Sequence, residues 1–439
     1  MIYFSRGEAQ KPLTESEIRA GLFEALDRLG SRPKVLAVPP DITRFHSGAG
    51  LITRCVYEYY RTRLTDILPA TGTHFPMTDR EIELMYPVVP RGLFREHNWK
   101  TDPVTLGEVP GEFLEAVSEG RIKYPWPAQV NRLLVQGGHD LILSIGQVVP
   151  HEVVGMANYN KNIFVGTGGR DGINRSHFLG AVYGLERIMG RADTPVRRVL
   201  NYASEHFAQH LPIVYVLTVV GRDALGKPAV NGLFIGDDED CFLQAAELSR
   251  KVNIQTLPRP LKKVVVYLDP REYKSTWLGN KSIYRTRMAI ADGGELIVLA
   301  PGVRQFGEDE IIDRLIRRFG YRTTPEILEA VEGNVELQEN LSAAAHLIHG
   351  SSENRFRITY CTGHLSEEEI RSVNYDYGDL HTMLKRYDPK KLQEGFNTLP
   401  DGEEIFFVSN PGLGLWAYEK KFTNKGDFLA TRTQKTLRR

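Results

Sequence analysis

Cysteine is scarce. Cys55, Cys241 and Cys361 are the only three in 439 residues, far apart and never in a CxxC pair. That excludes a disulfide framework and a cysteine-built zinc site, and it fits reduced core thiols in a cytoplasmic protein. An excess of one charge is lacking as well. Lys plus Arg and Asp plus Glu both number 55, so no basic surplus speaks for nucleic acid as a partner. Apolar runs stop at strand length, well short of the roughly 20 residues a membrane span requires. Residues 1–8 do not show the basic-then-apolar pattern of an export signal. Internal repeats and low-complexity tracts are absent. The chain is therefore expected to be cytoplasmic, bound to neither membrane nor nucleic acid.

What is present is ordinary in amount: 41% hydrophobic and 25% charged residues, enough for a globular core. A chain of 439 residues exceeds what one core organises, so two domains are expected. Strand, polar turn and helix alternate from residue 34 onward, and again from 262. That alternation predicts an α/β fold of two domains, each with a mostly parallel sheet flanked by helices, and an active site in the cleft between them. The expected boundaries are 1–258, 259–420 and a tail at 421–439, whose basic and polar last dozen residues are expected to fray. Residues 253–260 read as the linker.

Apolar spacing predicts helices over 15–29, with Thr14 as cap, and over 51–64. Strands are predicted at 34–38, 66–70, 141–149, 212–220, 262–268, 295–300, 356–361 and 404–408. Thr78 and Glu81 form a capping-box pattern. Further helices are expected at 241–252, 281–291 and 308–319, with a long helical stretch at 324–347. Residues 86–132, rich in Pro, Gly and Trp, look irregular.

The chemistry gathers at 147–180. His151 stands just beyond the 141–149 strand, where open α/β sheets place ligands. Lys161 follows, then the short apolar run 163–165, the glycine-dense turn 166–172 and His177 at the front of a helix. The first strand runs into Asp41, Thr43 and Arg44, and the second into the glycine turn that presents His74. Gly168 and Gly169 lie in a loop able to cradle a phosphate with its N–H groups. It is neither a clean dinucleotide fingerprint nor a P-loop. His206 and His210 share a helix face, but no glutamate lies between them for zinc-hydrolase chemistry, so a structural role is preferred. Lys281 opens a helix, a position that favours anions over cations and so hints at a ligand.

Together these positions resemble the lactate racemase family, the enzymes that use a nickel-pincer nucleotide. The family spaces a catalytic histidine, a lysine and a nickel-ligating histidine as His151, Lys161 and His177 are spaced here. Its Asp-x-Thr-Arg element appears at 41–44, its Thr-Gly-Thr-His element at 71–74, and its second-domain lysine at Lys281, ahead of Gly293 and Gly294.

The resemblance implies a cofactor, nickel in pyridinium-3-thioamide-5-thiocarboxylic acid mononucleotide, attached covalently to Lys161 with His177 as metal ligand. Asp41, Arg44, Gly168 and Gly169 are placed with the cofactor. His74 and His151 are the implied acid–base pair for inversion at C2 of a 2-hydroxy acid by reversible hydride transfer. Arg44 and Lys281 would hold the substrate carboxylate, with Trp277 beside them. Transient contact with nickel-cofactor biosynthesis proteins is implied as well.

The chain departs from the family at two places. Ser-Gly-Gly-Arg ahead of the lysine is replaced by Ala157, Asn158, Tyr159 and Asn160, and a glutamine is replaced by Leu278. These changes point to a larger, more polar 2-hydroxy acid than lactate, such as a sugar acid. The alternatives are lactate racemase proper, a nicotinamide-dependent 2-hydroxy acid dehydrogenase, a cofactor-free binding homologue, and zinc hydrolysis through His206 and His210.

Overall fold

The computed structural model describes residues 1–422. It is a mixed α/β protein in two compact units, one made of Met1–Leu179 and Ile188–Asn253, the other of Gly180–Arg187 and the chain from Ile254 onward. Most of the expected tail lies outside the described residues.

In the first unit six strands form one sheet, in the order Ile2–Gly7, Pro228–Gly236, Ile213–Arg222, Leu141–Gln147, Val35–Val38, Leu64–Ile67. The last four are parallel, and the first two add antiparallel. Val35–Val38 is buried throughout, as a central parallel strand must be. From Val35–Val38 the chain moves outward to Leu64–Ile67. From Leu141–Gln147, on the other side of Val35–Val38, it moves the opposite way to Ile213–Arg222. The sheet's switch point therefore lies between Val35–Val38 and Leu141–Gln147, the crevice where such sheets bind ligands.

The helix Glu15–Leu29 forms where its sequence predicts, opened by a capping box between Thr14 and Glu17. It buries Ile18, Leu22, Ala25 and Leu26 against the sheet, and each leucine contributes about 2 kcal/mol. The box predicted at Thr78 and Glu81 also forms, starting Asp79–Met85.

Several expectations are corrected. Residues 86–132 are not simply irregular: Pro103–Val109 and Trp126–Asn131 pair as an antiparallel hairpin around the short helix Gly111–Val117. The expected linker contains the strand Ile254–Leu257, parallel to Leu415–Tyr418. The short apolar run 163–165, to which the sequence assigns no element, lies in a π-helical turn, Asn162–Gly166. A short run buried on all sides carries no period from which to read one.

The second unit has its own six-stranded sheet, ordered Asp376–Tyr377, Arg357–Thr362, Ile290–Ala300, Leu261–Tyr267, Glu404–Val408, Gly395–Thr398, parallel except for the last pair. The predicted helix at 281–291 ends early, as Lys281–Thr286, because the chain enters the strand Ile290–Ala300. The stretch at 324–347 is three helices, Thr324–Gly333, Val335–Glu339 and Leu341–Gly350. They are separated by Asn334 and Asn340, a residue type whose side chain competes for backbone hydrogen bonds. Cys55, Cys241 and Cys361 are all buried and free. No described helix is long and apolar enough to cross a membrane.

Candidate active site

Three parallel strands of the first unit carry the predicted residues past the same edge of the sheet. Asp41 and Arg44 follow Val35–Val38, His74 follows Leu64–Ile67, and His151 follows Leu141–Gln147. Asp41 caps the 3-10 turn Ile42–Ser47, its carboxylate accepting from Thr43 N at 3.1 Å. Its other oxygen lies 2.7 Å from His74 Nδ1. Asp41 is 4% exposed. Burial opposes its charge, but hydrogen bonds from His74 and Thr43 and the Arg44 charge outweigh that and hold the carboxyl below its usual range. An ionised carboxylate only accepts, so His74 Nδ1 carries the hydrogen and Nε2 keeps its lone pair. His74 is held by a turn, its N–H on Thr71 O at 3.0 Å, while Gly72, at φ 57°, donates to Gly166 O at 2.8 Å. The turn that presents His74 is thereby tied to the segment after Lys161.

His151 has the opposite polarity. Val153 N–H donates to its Nδ1 at 3.1 Å, so the neutral ring carries its hydrogen on Nε2. Desolvation pushes its pKa well down, the charges of Lys161, Arg44 and His177 push the same way, and Glu152 opposes them. Lys161 is drawn down to about 8 by desolvation and Arg44, against the pull of Glu152 and Asp41. Its amine has no hydrogen-bond partner among the described residues. His177 is lowered to about 4, first by desolvation and also by the Lys161 charge. Its Nδ1 lies 2.7 Å from Ile173 O and must donate to that carbonyl, which leaves Nε2 as a free donor atom for a metal. His151, Lys161 and His177 lie within electrostatic reach of one another.

The segment before Lys161 explains the missing glycines. Asn158 and Tyr159 both adopt left-handed backbone, at φ 63° and 59°. The conformation a glycine pair adopts freely is therefore kept by two residues for which it is costly, about 1–2 kcal/mol for the tyrosine. Packing offsets this: Tyr159 is buried and its ring lies 5.2 Å from Phe242, nearly parallel to it, and 4.3 Å from Tyr215. The polar groups are turned to protein. Asn158 Oδ1 accepts from Tyr159 N at 2.7 Å, and Asn160 Nδ2 donates to Asn201 Oδ1 at 2.7 Å. After Lys161, Asn162 Nδ2 donates at 3.0 Å both to Val38 O and to Ser144 Oγ, bridging the two strands at the switch point.

Gly168 and Gly169 are required by close packing. A Cβ on Gly168 would stand 2.0 Å from Phe164 O, and one on Gly169 would stand 2.5 Å from Gln129 Oε1. Gln129 also accepts from Gly172 N at 3.2 Å, and buried His97 donates through Nε2 to Gly168 O at 3.1 Å. The loop follows a π-helical turn instead of a strand, so it lacks the strand-to-helix setting of a dinucleotide fingerprint.

Trp277 and Lys281 lie in the second unit. The Trp277 ring is 4.3 Å from that of His346, and Lys281 opens Lys281–Thr286. His206 stacks on Tyr202 at 3.8 Å and its Nδ1 bonds to Tyr202 O. No group of three or more His, Cys, Asp or Glu among the described residues is arranged to hold a metal ion. A metal held by His177 would have to bring most of its ligands with it.

Sequence reasoning missed Glu152, Asn162 and Arg197. Glu152 had a signal, since it adjoins His151. Arg197 had none, because its contacts with the turn at 158–160 appear only on folding.

Residues 22–187 match the family model described as the lactate racemase N-terminal domain, a span that contains Asp41, Arg44, His74, His151, Lys161 and His177. A protein of Thermotoga maritima, solved by a structural genomics consortium, is 25% identical, covers 94% of this chain and 100% of its own, and superposes with a TM-score of 0.78. The lactate racemase apoprotein of Thermoanaerobacterium thermosaccharolyticum is 16% identical with 94% of each chain covered, and shares the fold at a TM-score of 0.70. Comparison with curated protein sequences gives no match. Residues 22–187 thus match the lactate racemase N-terminal domain model, and the chain shares its fold with a solved lactate racemase apoprotein.

Proposed function

We propose that the protein is a racemase or epimerase that inverts C2 of a 2-hydroxy acid, using a nickel-pincer nucleotide attached to Lys161. The observation that carries this reading is the convergence of a desolvated amine, Lys161, with an imidazole, His177, whose Nε2 is left free by its bond to Ile173 O. An amine with a pKa of about 8 is partly unprotonated at neutral pH, as a nucleophile must be. One imidazole donor suits a metal that arrives with sulfur and carbon ligands of its own. When bound, the group supplies a site that accepts hydride from C2 and returns it.

The chain's own residues do the rest. Arg44 binds the substrate carboxylate by charge-assisted hydrogen bonds. His74 Nε2 takes the hydroxyl proton, and Asp41 holds that ring's tautomer. His151, with hydrogen on Nε2, faces the substrate as a donor. To deliver a proton His151 must first take one at Nδ1 and release the Val153 N–H. After Nε2 gives up its proton, that atom holds the lone pair needed for turnover in the other sense. Burial of His151 shields its side of the site from water.

The substrate is proposed to be larger and more polar than lactate, such as a sugar acid. Asn160 is committed to protein partners, so that part of the reading rests on the altered surroundings of the site, with Asn158 ahead of Lys161 and Leu278 in place of the family's glutamine. Protein co-expressed with nickel-cofactor biosynthesis proteins tests the whole reading. The expected result is a mass adduct on Lys161, bound nickel, and inversion of sugar acids in a panel of 2-hydroxy acids. Inversion of lactate alone rejects the substrate class. A loaded protein that inverts none of them, or one that reduces a nicotinamide, rejects the activity.

A further inference from the structure

We propose that Arg197 is a positioning residue for Lys161, holding the left-handed turn at 158–160 from the helix Pro195–Phe207. Its guanidinium reaches three groups of the segment just ahead of the lysine. It donates to Met156 O at 2.7 Å, to Asn158 O at 3.2 Å, and to the Asn160 side-chain oxygen. The same helix holds Asn160 from its other side, through Asn201 Oδ1 at 2.7 Å and Ser204 Oγ at 3.2 Å. Thr194 caps that helix and bonds Val154 O at 3.1 Å, so the helix start is fixed to the same loop.

Arg197 is 1% exposed and forms no ion pair with a carboxylate among the described residues. An unpaired buried cation is a costly way to fill a core, and an apolar residue of similar volume would pack there more cheaply. Carbonyl oxygens and the face of Phe242, 4.2 Å from the guanidinium carbon, take the place of a counter-ion. The arrangement supplies two things an apolar residue cannot. It satisfies the carbonyls exposed by the left-handed turn, and it puts a fixed positive charge near the Lys161 amine. Arg44 acts on that amine in the same sense, while Glu152 and Asp41 act against it, and His151 and His177 lie in the same field. Arginine's five donors in a rigid fork suit this role, and lysine's ammonium cannot reproduce it.

The inference rests on reading Lys161 as the attachment point, but its test uses the full chain made without cofactor biosynthesis proteins. Failure to find an adduct in the loaded protein would therefore leave this result standing, and the reverse holds too. Lys161 is labelled with acetic anhydride across pH 6–11 and quantified by peptide mass spectrometry, and hydrogen exchange is followed over residues 156–161. Arg197→Met is expected to move the Lys161 titration upward and to speed exchange. Labelling at pH 7 should fall about tenfold if the amine's pKa rises by one. Arg197→Lys and Asn160→Ala keep the charge, so they should speed exchange and leave the titration in place. A folded Arg197→Met protein with the wild-type titration overturns the inference. So does wild-type exchange in both Arg197→Lys and Asn160→Ala, which carry the test if Arg197→Met does not fold.

Discussion

His74 and Asp41 meet at 2.7 Å, a mostly exposed imidazole held by a carboxylate that is almost wholly buried. The carboxylate fixes which ring nitrogen carries the hydrogen, so the exposed Nε2 is presented as a base. Asp41→Asn offers an amide that can donate to Nδ1 and reverse the tautomer. In the loaded enzyme kcat should fall by roughly 10²–10⁴-fold, with nickel content and the Lys161 adduct unchanged. A kcat within a factor of a few of wild type would remove Asp41 from this role.

The two histidines differ in polarity, and their variants should differ in consequence. His151→Ala keeps the base at His74, so oxidation of one enantiomer to the 2-keto acid should persist while inversion is lost. His74→Ala should remove the reaction of that same enantiomer by roughly 10²–10⁴-fold. Single-turnover formation of the 2-keto acid from each pure enantiomer, followed by rapid quench, reads this directly. Equal loss from both enantiomers in both variants would show that the polarity has no part in turnover.

His177 gives the prediction for metal removal. His177→Ala should bind much less nickel, by elemental analysis, while intact mass still shows the nucleotide on Lys161. Full nickel retention would assign the metal to another donor.

Thr14 as a cap and the Thr78–Glu81 capping box were legible in the sequence because helix capping is an event of a few neighbouring residues, whereas the box that Glu17 completes with Thr14 emerged only in the structure. The interval between His151, Lys161 and His177 was legible as a pattern, although what it does came from the family resemblance. Other features depend on partners distant in the chain. The edge strand Ile2–Gly7 exists because Pro228–Gly236 offers it an open ladder, and nothing within 2–7 alone states that. The strand Ile254–Leu257 reads as a linker until Leu415–Tyr418 is beside it. Asn158 and Tyr159 are not residues that advertise left-handed backbone in pairs, and their conformation is fixed by Phe242, Tyr215 and Arg197 from elsewhere in the unit.

That pair can be tested by stability. Asn158→Gly should stay within about 1 kcal/mol of wild type, since asparagine tolerates this backbone and glycine relieves it. Tyr159→Gly relieves more strain but empties a packed aromatic site, so a net loss of roughly 2–4 kcal/mol is expected. Urea unfolding of the two variants checks the order. A Tyr159→Gly protein as stable as wild type would mean that the aromatic packing contributes little.

Acid sensitivity is expected from Asp66, which bonds His139 Nε2 at 2.9 Å and Arg95 Nε at 2.8 Å. Burial opposes its charge, but hydrogen bonds from His139 and Thr65 and the Arg95 charge hold its pKa below the usual value. A depressed folded-state pKa stabilises above the unfolded value of about 3.9 and ceases to do so as pH falls through the folded value. Asp66→Asn should therefore cost about 1–3 kcal/mol at pH 7 and much less below pH 3. Equal losses at both pH values in urea titrations would show that the charge is irrelevant there.

The wide turn Asn162–Gly166 has a consequence for how this chain tolerates change. A π turn accommodates one residue more than an α turn over the same height. Removing a single residue from it would tighten the turn toward α geometry and shorten the path between Lys161 and the glycine loop. Lys161 lies on one side of that joint and His177 on the other. Length, more than side-chain identity, is what natural variation should spare at this point of the chain.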